Sequence, residues 1–420
     1  MDGKIASMVA FMAKEPQFDQ AQLGWLKDPA LKRILDAVAS GGGEARVVGG
    51  AVRDALLGRA IGEIDLATTL DPDRATHCLA QAGLKVVPTG ITHGTITVVC
   101  DHRGFEMTTL RRDVETDGRR AKVEFTDDWQ ADAARRDFTI NALYADAGGT
   151  LYDYFGGRED LAAGRIRFIG DAEARIREDV LRILRFFRFT AWFGRGAPDA
   201  TGLAACRKLA GLLPQLSYER IARELIKLLT ADRPAPIWSL MIENGILKDI
   251  LPEASRTGRL QALQAVEQKH DCTPAPLTRF AASLPDDGKV ADQVAKRLKL
   301  SNRDGDVLRL LAILPAQLKG KLDTVPFRRM LYKHGIEAAR QAALLLAAND
   351  ANADITQALA AADSWEQPVF PLQGGDLLKL GMTAGPKVGA ALSMIEDWWI
   401  AHDFRPGRAE CLAEAQKHIG

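Results

Sequence analysis

The sequence predicts an α+β protein in which a small mixed sheet is followed by an all-helical remainder. From Ala45 to about Ile169, runs rich in β-branched residues alternate with runs whose apolar residues recur at helical spacing. After Gly170 no convincing strand pattern occurs, and Ala- and Leu-rich stretches continue with helical periodicity. The change near Gly170 therefore marks the end of the sheet-containing part.

Length and composition fit a globular protein with several domains. The 420 residues provide room for roughly two to four domains of ordinary size. Lys and Arg together number 55, as do Asp and Glu, which excludes a uniformly basic nucleic-acid binder but allows a local basic groove. Hydrophobic residues form 47% of the chain, a share that excludes long disorder and coiled coil.

The five cysteines indicate a reducing compartment, with the cytoplasm as the expected location. They are scattered without a C-x-x-C pair, so neither a disulfide framework nor a zinc ribbon is predicted. The apolar stretch near the N-terminus is soon interrupted by Lys14 and Glu15, so no signal peptide is expected. No run approaches the roughly 18 apolar residues that span a membrane.

The individual elements follow from local periodicity and from breaks at Gly and Pro. Residues 1–44 are predicted to be helical and to end at Gly41-Gly42-Gly43. The polar stretch 113–122 is predicted to be a loop. The predicted strands are 46–48, 64–68, 95–100 and 105–110, and the predicted helices are 52–57, 73–81, 128–141, 171–193, 217–230 and 236–247.

A strand-to-helix turn through Gly49 and Gly50 is the first candidate site. Glycines allow a backbone N–H to approach a phosphate closely, and a helix N-terminus adds a partial positive charge. Arg53 lies one turn into the helix, where it is placed to donate to the same phosphate. Alone, such a turn is more often structural than functional, and the acids that follow it change that weighting.

Two acids about ten residues later suggest a metal site. Glu63 and Asp65 are predicted to share one face of a strand while Ile64 and Leu66 enter the core. Mg²⁺ takes one or two carboxylates together with substrate phosphate oxygens, which favours a metal site over a solvated strand edge. Glu106, in another predicted strand, is expected to complete a three-carboxylate cluster and to accept a proton from an attacking hydroxyl.

Together these motifs resemble those of the class II tRNA nucleotidyltransferases and their bacterial poly(A) polymerase relatives. The resemblance runs in one order over about residues 45–230. The motifs that carry it are Gly49-Gly50-Ala51-Val52-Arg53-Asp54, Glu63-Ile64-Asp65, His93-Gly94-Thr95, Glu106-Met107-Thr108-Thr109, Asp117-Gly118-Arg119-Arg120, Arg135-Arg136-Asp137-Phe138-Thr139-Ile140-Asn141, Asp153-Tyr154-Phe155-Gly156-Gly157, Arg177-Glu178-Asp179-Val180-Leu181-Arg182 and Ser217-Tyr218-Glu219-Arg220.

The resemblance implies a polymerase-β-like nucleotidyltransferase head followed by a helical neck, body and tail. Combined with the breaks in the sequence, it predicts five parts of the chain. They are a helical extension over 1–44, the head over 45–170, a neck with base recognition over 171–231, the body over 232–330 and the tail over 331–420.

The resemblance also assigns residues in the head. It implies that Glu63 and Asp65 hold the metal and act in catalysis with Glu106 as the third acid. Gly50, Arg53 and Arg136 are implied to contact the nucleotide. One departure is visible, because the family pair is usually Asp-x-Asp and Glu63 occupies the first position here. The extra methylene moves that carboxylate by about one bond length, which the backbone or rotamer must compensate.

Base selection is predicted for the start of the neck. A single helix over 171–193 would place Asp179, Arg182, Arg185 and Arg188 at successive steps of three. Asp accepts hydrogen bonds and Arg donates them, so the first two would suit the amino group and unprotonated ring nitrogen that C and A share. The plainer alternative is a surface ion pair between them. By resemblance, Arg185 and Arg188 help to hold the nucleotide, with neck salt bridges as the alternative.

The implied activity is Mg²⁺-dependent, template-independent addition of CCA to tRNA 3′ ends. The terminal hydroxyl would attack the α-phosphate of CTP or ATP in line and release pyrophosphate. The expected partners are the tRNA acceptor arm and the two nucleotides, with no membrane and no obligate protein partner. A flexible element near 113–122 would favour complete CCA synthesis. The alternatives are a poly(A) polymerase, which shares every head motif, and an inactive RNA-binding protein, suggested by Glu63.

Overall fold

The computed structural model describes residues 24–91, 94–117, 120–318 and 324–418. The chain divides between Leu216 and Ser217 into two units. Of the predicted N-terminal helical part, residues 1–23 lie outside the described residues. The described remainder contains helix α1 (Pro29–Ser40), whose first turn is capped by the Asp28 carboxylate. His93, Gly118 and Arg119 of the quoted motifs also lie outside.

A seven-stranded mixed sheet organises the first unit and confirms the predicted sheet. Its strands are β1 (Ala45–Val48), β2 (Asp65–Thr68), β3 (Lys85–Gly90), β4 (Thr95–Cys100), β5 (Arg103–Thr109), β8 (Leu143–Ala145) and β9 (Leu151–Asp153). Two further strands, β6 (Arg111–Asp117) and β7 (Arg120–Phe125), pair only with each other. The sheet order is β3-β4-β5-β2-β1-β8-β9. Strands β2 and β5 are parallel, and the other neighbours are antiparallel.

The predicted loop over 113–122 is wrong where the structure describes it, over residues 113–117 and 120–122. Strands β6 and β7 form an antiparallel hairpin there, with Arg111 opposite Phe125 and Arg112 opposite Glu124. The last two are joined by an ion pair of 2.8 Å. Charged and polar residues dominate both strands, so the sequence lacks the apolar alternation that normally identifies a strand.

The helices of the first unit correct two further predictions. They are α2 (Gly50–Leu56), α3 (Pro72–Gln81), α4 (Trp129–Ala134), α5 (Gly157–Ala163), α6 (Ala172–Glu178), α7 (Arg182–Phe193) and α8 (Ala200–Leu209). The helix predicted over 128–141 ends at Ala134. The single helix predicted over 171–193 is broken at Asp179, whose φ of −146° and ψ of 104° are extended. The Asp179 carboxylate accepts the Leu181 N–H at 3.2 Å, which competes with a continuous helix.

A buried cluster beneath β1 and β2 holds the site-bearing elements together. It includes Val48, Ala67, Leu110, Trp129 and Tyr144. The Trp129 and Tyr144 rings pack edge to face with their centroids 5.5 Å apart. Helix α4 and strand β8 are thereby fixed against the strand that leads into the glycine turn.

Among the described residues of the second unit, all regular elements are helices, as predicted. Its helices are α9 (Tyr218–Leu229), α10 (Pro234–Glu243), α11 (Thr257–Lys269), α12 (Pro276–Ser283), α13 (Gly288–Arg297), α14 (Asn302–Ile313), α15 (Thr324–Asn349), α16 (Thr356–Asp363), α17 (Gly374–Lys379), α18 (Pro386–Ala401) and α19 (Arg408–Lys417). Gly335 interrupts α15 with a φ of 83°. The division into neck, body and tail remains a prediction. None of the helices in the described ranges is both long and apolar enough to cross a bilayer.

Candidate active site

The glycine turn joins β1 to α2. Gly49 has a φ of 73°, a conformation that favours glycine, and its N–H donates to the Leu143 carbonyl at 3.0 Å. A Cβ on Gly49 would lie 3.5 Å from the Asn141 carbonyl oxygen and 4.0 Å from Arg136 Nη1. The turn therefore sits directly against the predicted R-R-D-F-T-x-N motif.

Two of the three predicted acids, Asp65 at the start of β2 and Glu106 in the middle of β5, lie on neighbouring strands, and Glu63 precedes β2. Glu63 and Asp65 are exposed while Ile64 is buried between them, which confirms the predicted alternation, although Glu63 precedes the strand. Asp65 is the direct partner of Glu106 in the parallel pair of strands. Residues in register on neighbouring strands project from the same face, so these carboxylates share one surface.

The electrostatics of this surface suit a cation. Desolvation by the surrounding protein, together with repulsion by Glu106 and Glu63, raises the pKa of Asp65 above its usual 3.8, while Arg136 opposes the rise. Within the described ranges, no group of three or more His, Cys, Asp or Glu residues is arranged to hold a metal ion, and the predicted three-carboxylate cluster remains a prediction. A pair of carboxylates beside a glycine turn fits Mg²⁺, because substrate phosphates and water complete its coordination.

Arg53, which is expected to contact a phosphate, hydrogen-bonds to other residues of the protein. Its side chain is buried, and Nη1 donates to the Asn141 side-chain oxygen at 2.7 Å while Nε donates to Asp54 at 3.1 Å. The guanidinium carbon also lies 4.2 Å from the centre of the Phe193 ring. The protein itself thus engages this group, and its contact with a nucleotide remains a prediction.

Three predicted arginines lie half-buried on one face of α7. The ion pair shown for Arg182 is with Glu178, at 2.7 Å, and Arg182 also donates to the carbonyl of Arg135 at 3.1 Å. Arg185 donates to Asp137 at 2.7 Å. The Arg188 guanidinium lies 4.2 Å from the centre of a neighbouring phenyl ring. Asp179 sits at the break just before this face, next to Arg182.

Sequence reasoning missed the groups that hold these arginines. Asp137 is buried and also accepts from the Asn141 side chain at 3.0 Å. A continuous hydrogen-bonded chain therefore runs from Arg53 through Asn141 and Asp137 to Arg185. The available signal was the placement of an acid and an amide four residues apart in the largely apolar run 137–145.

Asp137 gives the fold a defined acid sensitivity. Burial alone would raise the pKa of its carboxyl, but Arg185 and Asn141 outweigh burial and hold the pKa below the usual 3.8. A lowered native pKa stabilises the fold above the unfolded-state pKa, and this stabilisation is lost as pH falls through the native pKa. Asp137→Asn should therefore cost roughly 1.5 to 3 kcal/mol at neutral pH.

The measurement is the free energy of unfolding of wild type and Asp137→Asn against pH. The difference should be constant above about pH 5 and should narrow below the unfolded-state pKa. Asp101→Asn, at an exposed ion pair with Arg33, is the control and should cost less than about 1 kcal/mol. A difference that widens as the solution is acidified would contradict this role.

Comparisons with known proteins agree with the motifs and the fold. Residues 45–167 match the Poly A polymerase head domain, and residues 199–257 match the family described as the probable RNA and SrmB-binding site of polymerase A. The chain is 37% identical over 381 residues to the mitochondrial CCA tRNA nucleotidyltransferase 1 of Danio rerio, covering 88% of this chain and 86% of the relative.

A bacterial relative and a solved structure extend this similarity. The CCA-adding enzyme of Levilactobacillus brevis is 32% identical, with 86% of this chain and 91% of the relative covered. The crystal structure of the Bacillus stearothermophilus CCA-adding enzyme in complex with CTP superimposes with a TM-score of 0.74 at 27% identity, over 93% of this chain and 98% of that one. These matches confirm the resemblance seen in the motifs, and the chain belongs to the family of CCA-adding tRNA nucleotidyltransferases.

Proposed function

We propose that this protein adds C, C and A to the 3′ ends of tRNA from CTP and ATP. One observation carries the proposal, and it concerns the neighbouring residues Arg135 and Arg136. The carbonyl of Arg135 accepts a hydrogen bond from Arg182, which is predicted to read the base. The positive charge of Arg136 lowers the pKa of Asp65 in the acidic surface. The residue that holds the predicted base reader and the residue beside the predicted triphosphate site are therefore adjacent in the chain.

The residues divide the reaction between them. Glu63 and Asp65 would hold Mg²⁺, which supplies charge neutralisation at the triphosphate when bound. Glu106 accepts the proton of the attacking 3′-hydroxyl. Arg136 and the glycine turn balance negative charge on the phosphates as pyrophosphate leaves. Catalysis of this kind rests mainly on positioning and electrostatics.

The choice of base follows from the hydrogen-bond types of Arg182 and Asp179. Arg182 donates to Glu178 and to the carbonyls of Arg175 and Arg135, which hold its guanidinium at the break, and a guanidinium carries only donors. The Asp179 carboxylate supplies acceptors beside them. Cytosine and adenine present an amino donor next to an unprotonated ring nitrogen, whereas uracil and guanine present the reverse pattern.

Asp179→Asn should relax this selection, because an amide can also donate to the carbonyl of uracil or guanine. A mismatch costs on the order of 1 to 3 kcal/mol, so the preference for CTP over UTP should fall about 5- to 150-fold. The measurement is kcat/KM for each of the four nucleotides. Glu173→Gln, a carboxylate on α6 paired with Lys208, is the control. An unchanged ratio of CTP to UTP would remove Asp179 from base selection.

The product pattern separates CCA addition from poly(A) addition. Purified protein receives tRNA lacking its CCA end with CTP alone, ATP alone or both. The proposal predicts two added residues with CTP alone and three with both nucleotides. Long A tails formed without prior C addition would establish the poly(A) alternative instead.

We also propose a reducing location, with the cytoplasm as first choice. All five cysteines are free, and four of them are buried. Fractionation of the native cells followed by immunodetection tests this assignment. Recovery of the protein in an organelle fraction would overturn it.

A further inference from the structure

Two buried oxygen groups hold the Arg136 guanidinium. Arg136 Nε donates to the Tyr144 hydroxyl at 3.0 Å, and Nη2 donates to the Asp132 carboxylate at 3.1 Å. The Tyr144 hydroxyl in turn donates to Asp132 at 2.8 Å. Asp132 is 1% exposed and Tyr144 is fully buried, so water does not compete for either group. Asp132 also accepts from Arg135 Nε at 2.8 Å.

The backbone fixes these two holders beside the candidate active site. Tyr144 on β8 lies directly opposite Val48, the last residue of β1 before the glycine turn. Its ring is packed against Trp129, the first residue of α4, and Asp132 lies one turn further along that helix. Both holders hydrogen-bond Arg136, so their effect on a nucleotide is expected to pass through Arg136.

The two hydrogen bonds to Arg136 leave its third nitrogen, Nη1, beside the glycine turn. With Nε and Nη2 engaged, Nη1 lies 4.0 Å from the position that a Cβ on Gly49 would occupy. Burial alone would lower the pKa of Arg136, but Tyr144 and Asp132 outweigh it and raise the pKa, so the guanidinium stays charged. Only a guanidinium has enough donors in one plane to be gripped at two nitrogens and to present a third.

We propose that Tyr144 and Asp132 are positioning residues that aim Arg136 Nη1 at the triphosphate of the incoming nucleotide. This inference rests on the proposed function. It predicts that substituting either residue changes the affinity for CTP and the affinity for ATP equally, because Arg136 would contact the triphosphate and not the base. A purely structural role would instead change stability and leave nucleotide affinity unaltered.

Tyr144→Phe tests the proposal because it removes one hydroxyl and keeps the buried ring. The Kd values for CTP and ATP, measured by calorimetry, should each rise about tenfold, with their ratio unchanged. Tyr154→Phe is a matched control, since its hydroxyl also accepts from an arginine, Arg46, at 3.0 Å in the same core. That variant should bind both nucleotides within about twofold of wild type.

A double-mutant cycle shows whether Tyr144 acts through Arg136. After Arg136→Lys, adding Tyr144→Phe should weaken CTP binding by less than about twofold further, because the grip is already lost. Unchanged binding by Tyr144→Phe, or a full tenfold loss on top of Arg136→Lys, would overturn the inference. Wild type that binds CTP without incorporating it would refute the proposed function alone. Wild type that does not bind CTP would refute both.

Discussion

Asp65→Asn is expected to lower nucleotide incorporation by about 1000-fold or more. The change removes one of two proposed metal ligands at the point where the triphosphate is bound. A loss of about 4 kcal/mol of transition-state stabilisation corresponds to three powers of ten in rate. The measurement is single-turnover incorporation of CTP into tRNA lacking its end. Asp73→Asn, an exposed acid in the first turn of α3, is the control and should retain wild-type activity.

In the absence of metal, Asp65→Asn should be at least as stable as wild type. The raised native pKa of Asp65 means that its ionised form opposes folding at neutral pH, because the carboxylate is desolvated and Glu106 and Glu63 repel it. The neutral amide removes that repulsion, so Tm in the presence of a chelator should stay equal or rise. Equal incorporation by Asp65→Asn and wild type would contradict the metal site, and incorporation at background level in both proteins would support the RNA-binding alternative.

Glu267→Ala is expected to destabilise the second unit by about 3 to 5 kcal/mol. Glu267 and Arg279 are each 3% exposed, and Arg279 donates to the Glu267 carboxylate from Nε at 3.0 Å and 3.3 Å and from Nη2 at 2.8 Å. Arg279 Nη1 also donates to the carbonyls of Leu229 and Ala231. The pair therefore ties α11 and α12 to the end of α9, and removing the acid leaves a buried cation without its counterion.

Urea unfolding followed by circular dichroism measures this cost. Asp397→Ala is the control, because its ion pair with Lys333 lies in the same unit but is exposed, at 46% for Lys333 and 60% for Asp397. That variant should lose less than about 1 kcal/mol. Equal losses in the two variants would show that burial adds nothing to the Glu267 pair.

The features predicted correctly from sequence are those encoded locally. The turn at Gly49 follows from a backbone conformation that other residues adopt poorly, and the exposure of Glu63 and Asp65 follows from strand alternation. The strands that were missed depend on their neighbours. β3 contains Pro88 and lies at an edge of the sheet, where a missing N–H is tolerated. β8 is only three residues long and is defined by its pairing with β1 and β9.

The region predicted to read the base shows the same limit for its side chains. Helical periodicity continues across residue 179, so the sequence pattern does not predict that the helix is interrupted at Asp179 before α7 begins. The partners of Arg182 and Arg136 are set by tertiary packing, which brings Arg135, Asp132 and Tyr144 beside them. Motifs therefore identified the candidate arginines, while their orientation became visible only in the folded chain.

Sequencing the 3′ ends formed in a mixture of all four nucleotides tests the central claim most directly. Wild-type protein is given tRNA lacking its CCA end, and individual product ends are read. The account predicts ends of C, C and A, followed by termination, with U and G nearly absent. Tails of repeated A, or frequent U and G, would contradict the claim that one protein site selects C and A without a template.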